Sequence, residues 1–165
     1  MHRVALRTDQ ELHKNISTRR LMQLRHEELQ ARRKGLAGVR LNSFADSIGQ
    51  AVFRMSTSLD IARIVCFTTT GYTAGAIARY RPKTRIKAFT NKVSTCRKCA
   101  IMWGVSAVLT RDFEEIEGLV QEVEEILIDR KAATEGDTIL IVAGTPLAAG
   151  GRTNLLKLHT IGDPG

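Results

Sequence analysis

Ile64-Val65-Cys66-Phe67 runs directly into Thr68-Thr69-Thr70-Gly71-Tyr72-Thr73 and then Ala74, an apolar run that stops in four threonines around a glycine. A short apolar run, a polar glycine-containing turn and an alanine-rich segment read as buried strand, loop and helix start. That junction constrains the rest, because a strand leading straight into a helix is the repeating step of an α/β fold. It also suits an anion, since the first N–H groups of a helix lack internal partners and lie at the positive end of its dipole.

The chain downstream keeps the same rhythm. Ala74 to Tyr80 continues as helix until Arg81-Pro82, where the residue before proline is biased away from helical geometry. Arg85 to Phe89 is a second strand. Ser94 or Thr95 can cap a helix running through Cys99 to Trp103, Gly104 ends it, and Val105 to Leu109 is a third strand. Asp112 starts a helix with Phe113, Ile116, Val120, Val123 and Leu127 on one side, and glutamates such as Glu114, Glu122 and Glu124 on a solvated face. After Gly136-Asp137, the continuous apolar run within Thr138 to Val142 suits a central strand covered on both faces. A loop from Gly144 to Arg152 leads to a last strand, Asn154 to Ile161.

In that last strand Leu156 and Leu158 alternate with Lys157 and His159, which predicts a buried leucine face and a polar one. The connection from Val142 holds no helix and is too short for a parallel crossover, so this strand is expected to be antiparallel and at an edge, where it can pair with a second copy. The fold class is therefore a three-layer α/β/α sandwich. Its five-stranded sheet is mostly parallel with the last strand antiparallel.

Upstream of the first strand, Ser43-x-x-Asp46 resembles a capping box, and Phe44, Ile48, Ala51, Val52, Met55 and Leu59 form one apolar helical face. Before it, Met1 to His13 fits a helix. Arg19 to Gly38 reads as a basic arm or insertion ending in two glycines. The division is residues 1–42, an N-terminal helical segment with the basic insertion at about 19–38, and residues 43–165, the α/β domain.

Composition narrows the function classes. A hydrophobic content of 43% in 165 residues supports a folded domain. No apolar run approaches about 18 residues and no signal-like leader opens the chain, so a soluble, cytoplasmic protein is expected. The net charge of +8 points to anionic partners. Much of it is local, with Arg19, Arg20, Arg25, Arg32, Arg33, Lys34 and Arg40 against Glu27 and Glu28. A solvated helix face is the plainer explanation, and nucleic-acid binding is the alternative.

Three cysteines argue against a disulfide framework, and Cys96-x-x-Cys99 lacks the second ligand pair of a structural zinc site, so reduced thiols are expected. His2, His13, His26 and His159 are scattered and form no triad with a serine or cysteine, so no catalytic residue is assigned. Trp103, at a helix end, reads as core.

Thr68 to Ala74 followed by Ile77-Ala78-Arg79-Tyr80-Arg81-Pro82 resembles the corresponding loop and helix of the C-terminal α/β domain of pyruvate kinase. The likeness continues in the family's order. Met1 to Gln10 is similar to the helix that opens this domain in bacterial members, and Asp46-Ser47-Ile48-Gly49-Gln50 to the start of its second helix. Trp103-Gly104-Val105, Ala143-Gly144-Thr145-Pro146 and Gly151-Arg152-Thr153-Asn154-Leu155-Leu156-Lys157 complete it. Arg19 to Gly38 is longer and more basic than the family pattern.

The resemblance implies a regulatory and oligomerisation module at the end of a tetrameric kinase. In that family phosphoenolpyruvate, ADP, Mg²⁺ and K⁺ are handled by a (β/α)8 barrel with a lid domain. The residues here are well short of the roughly 250 typical of such a barrel. No cofactor is therefore expected in this chain, and it is not expected to be catalytic alone. Many members bind a phosphorylated effector such as a sugar phosphate between two loops. By position these are Thr68, Thr69, Thr70, Gly71, Tyr72 and Thr73, and a second loop with Gly144, Gly150, Gly151 and Arg152. Where the family often has Arg or Lys, this sequence has Tyr72, which removes a charge-assisted bond that Arg152 could supply instead. Two readings stay open: a retained anion site, or a loop kept only as a helix cap. A homo-oligomer through the N-terminal helices and the last strand is the expected partner arrangement, with no membrane partner.

Overall fold

The computed structural model of the chain describes residues 43–111, 116–145 and 152–163, all within the compact unit Asn42–Gly165. The expected helix over Met1 to His13, the basic segment Arg19 to Gly38, residues Asp112 to Glu115, and Pro146 to Gly151 lie outside the described residues.

The elements follow in the order α1 Ser43–Ser58, β1 Arg63–Phe67, α2 Tyr72–Ala78, β2 Ile86–Thr90, α3 Val93–Ala100, β3 Val105–Leu109, α4 Ile116–Asp129, β4 Thr138–Gly144 and β5 Thr153–Thr160. The five strands form one sheet in the order β3-β2-β1-β4-β5. Pairings β1–β2, β1–β4 and β2–β3 are parallel, and β4–β5 is antiparallel. The sandwich expected from the alternation is thus the architecture observed, with β5 at an edge.

Two apolar clusters fill the two sides of the sheet. On one, Val52 of α1, Ala74 and Ile77 of α2 and Cys99 of α3 pack on Ile64, Cys66, Ile86, Ala88, Leu140 and Val142. On the other, Val120, Val123 and Leu127 of α4 pack on Val65, Phe89, Val108, Ile139 and Ile141. Successive strand residues point to opposite sides, so β4, with its five central residues buried, feeds both clusters and holds the middle of the molecule.

Several local expectations are corrected. Of the apolar face expected on α1, Val52 is buried and Ile48 and Met55 pack against the core, but Phe44 and, just past the helix, Leu59 are exposed, while Ala45 and Phe53 are buried. The contact face is rotated because α1 approaches α2 through Gly49, where a Cβ would come within 2.8 Å of Ala76 O and 3.0 Å of the Tyr80 ring. Phe53 then reaches Tyr80, with ring centroids 6.4 Å apart. The side chain of Ser43 lies outside the described residues, and its proposed capping partner Asp46 is engaged elsewhere, with Oδ1 3.5 Å from Arg79 Nη2.

Helix α2 stops at Ala78, before Tyr80, and Arg81 turns the chain with φ 48°. Helix α3 begins after Lys92, so Ser94 and Thr95 lie inside it and do not cap it, and it ends at Ala100. Ile101 to Gly104 form a turn. Trp103 is only half-buried, with the Arg81 guanidinium 5.7 Å from its ring centroid, so it is not core.

The glutamates of α4 are not uniformly solvated. Glu122 accepts from Thr110 Oγ1 and from Arg111 Nε. Glu124 Oε1 lies 2.8 Å from His159 Nε2 and accepts the Gly162 N–H at 2.9 Å. That contact buries His159 on the side of β5 expected to be polar, while on the leucine side Leu156 packs against the core and Leu158 is 42% exposed.

Candidate functional site

The strand order reverses between β1 and β4: β1, β2 and β3 run outward one way, and β4 returns to the other side of β1. In open α/β sheets the crevice outside the carboxyl ends of the strands at such a reversal is where ligands bind. The residues that follow β1 and β4 are the two loops singled out in the sequence.

The first loop is built by its own hydroxyls. Thr68 N–H donates to Phe89 O at 3.0 Å, extending the β1–β2 ladder by one bond. Thr68 Oγ1 then accepts the Gly71 N–H at 2.9 Å, which closes the turn. Gly71 sits at φ 85°, a left-handed conformation that side chains disfavour. A Cβ there would be in ordinary contact with Met102 Cε at 3.4 Å, and with Cys99 Sγ and Thr95 Cγ2 each at 3.8 Å. The floor beneath Gly71 is therefore α3 and the turn after it. Thr95, expected to cap that helix, donates its hydroxyl to Thr69 O at 2.8 Å and pins the loop from below.

Within the loop the hydroxyls divide into two sets. Thr68 and Thr73 are buried and spend theirs on the protein. Thr70 is exposed, and its Oγ1 accepts the Tyr72 N–H over a long 3.4 Å. Tyr72 is 49% exposed on the first turn of α2. The N–H groups of Thr73 and Ala74 also belong to that turn, before intrahelical partners become available.

The structure joins this loop to the second. The buried hydroxyls of Thr73 and Thr153 lie 2.8 Å apart, one donating to the other. Thr153 opens β5 and pairs with Gly144 at the end of β4, where the register slips by one residue. The extra residue is Asn154, which acts as a clamp. Its Oδ1 accepts from Thr145 N at 2.8 Å and Thr145 Oγ1 at 3.0 Å, and its Nδ2 donates to Thr145 O at 3.1 Å. Exposed Arg152 directly precedes Thr153.

Of the ten positions named from sequence, Thr68 to Thr73, Gly144 and Arg152 thus belong to chain segments joined by the Thr73–Thr153 bond. Gly150 and Gly151 lie outside the described residues. Three residues of the arrangement were missed: Thr95, Thr153 and Asn154. Thr153 and Asn154 carried a signal, as members of the Gly151-to-Lys157 segment that resembles the family and as polar residues at the mouth of an otherwise alternating strand. Thr95 carried none, because its partner is a backbone carbonyl 26 positions away.

The remaining chemistry is quiet. Cys66, Cys96 and Cys99 are free thiols. Burial, and then each one's neighbouring cysteine, push the thiols of Cys66 and Cys99 up, which keeps them protonated and poorly nucleophilic. Among the described residues no group of three or more His, Cys, Asp or Glu is placed to hold a metal ion. Among them, too, no helix is long and apolar enough to cross a membrane.

Comparison with known proteins gives a consistent picture. Residues 46–159 match the family model described as "Pyruvate kinase, alpha/beta domain". The pyruvate kinase of Staphylococcus aureus (strain bovine RF122 / ET3-1) is 35% identical over 121 residues, 73% of this chain and 21% of that protein. The pyruvate kinase of Staphylococcus saprophyticus is 34% identical over the same length. The chain thus spans 21% of the length of these relatives. Among solved structures, Cryptosporidium parvum pyruvate kinase in complex with ADP superimposes with a TM-score of 0.66 at 23% identity, covering 74% of this chain and 25% of that one. That likeness speaks for the fold. The match over residues 46–159 carries the assignment: this chain belongs to the pyruvate kinase family, through its alpha/beta domain.

Proposed function

We propose that this chain is a regulatory and oligomerisation module of pyruvate kinase type that takes a phosphorylated effector in the crevice between the β1–α2 loop and the β4–β5 connection. The observation that carries this reading is the 2.8 Å bond between Thr73 and Thr153, which ties the two loops at the reversal of strand order. On this reading Thr68 and Thr73 shape the loop. The Thr69 and Thr70 hydroxyls, the first-turn N–H groups of α2 and Arg152 meet the phosphate. Tyr72 leaves the loop without a cation of its own, so Arg152 is the main charged contact. Phosphoryl transfer from phosphoenolpyruvate to ADP, with its Mg²⁺ and K⁺, belongs to a barrel outside these 165 residues. The module works in the cytoplasm as part of a homo-oligomer to which the N-terminal helices and β5 contribute.

Thermal unfolding with fructose bisphosphate and other sugar phosphates tests the effector half. A melting temperature that rises with ligand concentration is expected, because a ligand that binds only the folded state stabilises it, and Arg152→Ala should remove most of the rise. No shift with any sugar phosphate, nucleoside monophosphate or sulfate refutes it. Salt-dependent RNA or DNA binding that vanishes on neutralising Arg32, Arg33 and Lys34 would move the function to nucleic acid.

A further inference from the structure

At the opposite end of β1 from the threonine loop, the sheet gathers positive charge on its α4 side. Side chains alternate across a strand, so Arg63 shares the side of Val65, which packs beneath α4. Val65 is the register partner of Lys87, and Ile64 of Ile86. Ile64 N–H donates to Arg85 O at 3.2 Å. Continuing that parallel register one residue back sets Arg63 beside Arg85. Arg63, Arg85 and Lys87 therefore lie on one side of two neighbouring strands, about 4.8 Å apart across the strands and about 6.6 Å along them. Arg130, one residue beyond α4, adds a fourth cation. Burial, and then Arg130, Arg63 and Arg85 in that order, hold the Lys87 ammonium below its ordinary range.

Like charges on adjacent strands repel, and a folded domain normally relieves such a cluster with carboxylates. Here it does not. Among the described residues the ion pairs are Arg79 with Asp46, Arg111 with Glu122 and His159 with Glu124. Among the described residues none of the four clustered cations takes part in one, and the polar contact of their charged groups is the Arg63 Nη1 bond to Ala62 O at 2.8 Å.

We propose that Arg63, Arg85, Lys87 and Arg130 form a second anion site, for a compact polyphosphate, at the amino-terminal end of β1 and β2. It lies about 16 Å along β1 from the threonine loop, about five residue steps from Arg63 to Thr68. The cluster is compact: three cations fall within one strand spacing by two residues, which suits one or two linked phosphate groups. A nucleic-acid backbone would call for an extended stripe. This inference stands whether or not the threonine loop binds an effector.

The test titrates the 165-residue chain with pyrophosphate at ionic strength matched with sodium chloride, and follows amide ¹H–¹⁵N shifts. Saturable shifts are expected at Ile64, Val65, Ile86 to Ala88 and Arg130, and Arg152→Ala should leave them unchanged. Arg85→Gln with Lys87→Gln should weaken this binding at least about tenfold, the loss of two charged hydrogen-bond donors. In low salt without pyrophosphate the same variant should melt higher than the parent, because the repulsion is gone. If the double variant does not fold, Arg63→Gln carries the same test. Shifts confined to Gly71 to Thr73, or affinity unchanged in the variant, overturn the proposal. A single-stranded RNA that binds these residues more tightly than pyrophosphate overturns the assignment to a small anion.

Discussion

Strands β4 and β5 lie side by side in one antiparallel ladder, yet different things hold them. β4 is central, with Ile139 to Ala143 all buried, and Ile139 to Val142 alternate between the two clusters. β5 is the edge, buried at Thr153 and His159 and half or wholly exposed between. β4 keeps its place through apolar burial dictated by its own residues. β5 is fastened at two polar points, Thr153 to Thr73 and His159 to Glu124. A central strand is thus specified locally, and an edge strand by side chains 80 and 35 positions away.

Substitutions can break that contrast. Ile141→Ala in β4 should have the largest effect, a loss of about 2–5 kcal/mol from lost burial and the cavity left behind, measured by urea unfolding. A smaller loss would show that the centre of the sheet can collapse around the gap.

Glu124→Ala should cost less, about 1–3 kcal/mol, since it strips His159 and the Gly162 N–H of their shared acceptor. Hydrogen exchange should then quicken at Gly162 and along β5 before it does along β4. Equal quickening in both strands would show that the two are not fastened separately.

The pH dependence sharpens the same point. Burial opposes the charge on Glu124, but the Gly162 N–H and His159 outweigh it and hold the carboxyl below its ordinary 4.5. A group whose pKa is lower in the folded state contributes stability that is fully present above its unfolded value and fades as pH falls through the folded one. The stability gap between the parent and Glu124→Gln should therefore be steady near neutrality and shrink below about pH 4.5. A gap that widened on acidification would contradict the sign.

Leu158→Ser should be the mildest change, within about 0.5 kcal/mol in a monomer, because that side chain is exposed. Analytical ultracentrifugation beside the melt makes it informative. A larger loss that depends on protein concentration would mean that a second copy covers the edge.

The same contrast explains what could be read in the sequence. Ile139 to Val142 declares a buried strand by itself, and the run Ile64 to Thr73 declares strand, loop and helix, so the sandwich and the place of the first loop were legible. Apolar alternation in β5 foretold the packing of Leu156 but neither the exposure of Leu158 at the edge nor the burial of His159 on the other side, where Glu124 is its partner. The rotation of α1 was hidden for a related reason. Gly49 adds nothing to an apolar stripe, yet its missing side chain lets Ala76 and Tyr80 come close. For the candidate site, the threonines and Arg152 were visible as a motif. Their division into buried hydroxyls that build the loop and hydroxyls nearer the surface depends on Thr95 and Thr153, which only the fold brings near.

The most direct test of the account is a fructose bisphosphate titration of the chain read from amide shifts at Gly71, Tyr72, Thr73 and Thr153, repeated with Arg152→Ala and with Thr73→Val. The account predicts saturable shifts at all four positions in the parent, binding lost or severely weakened in Arg152→Ala, and in Thr73→Val shifts at the loop that no longer extend to Thr153. An unchanged spectrum at saturating ligand, or shifts confined to Ile64, Val65 and Lys87, would contradict it.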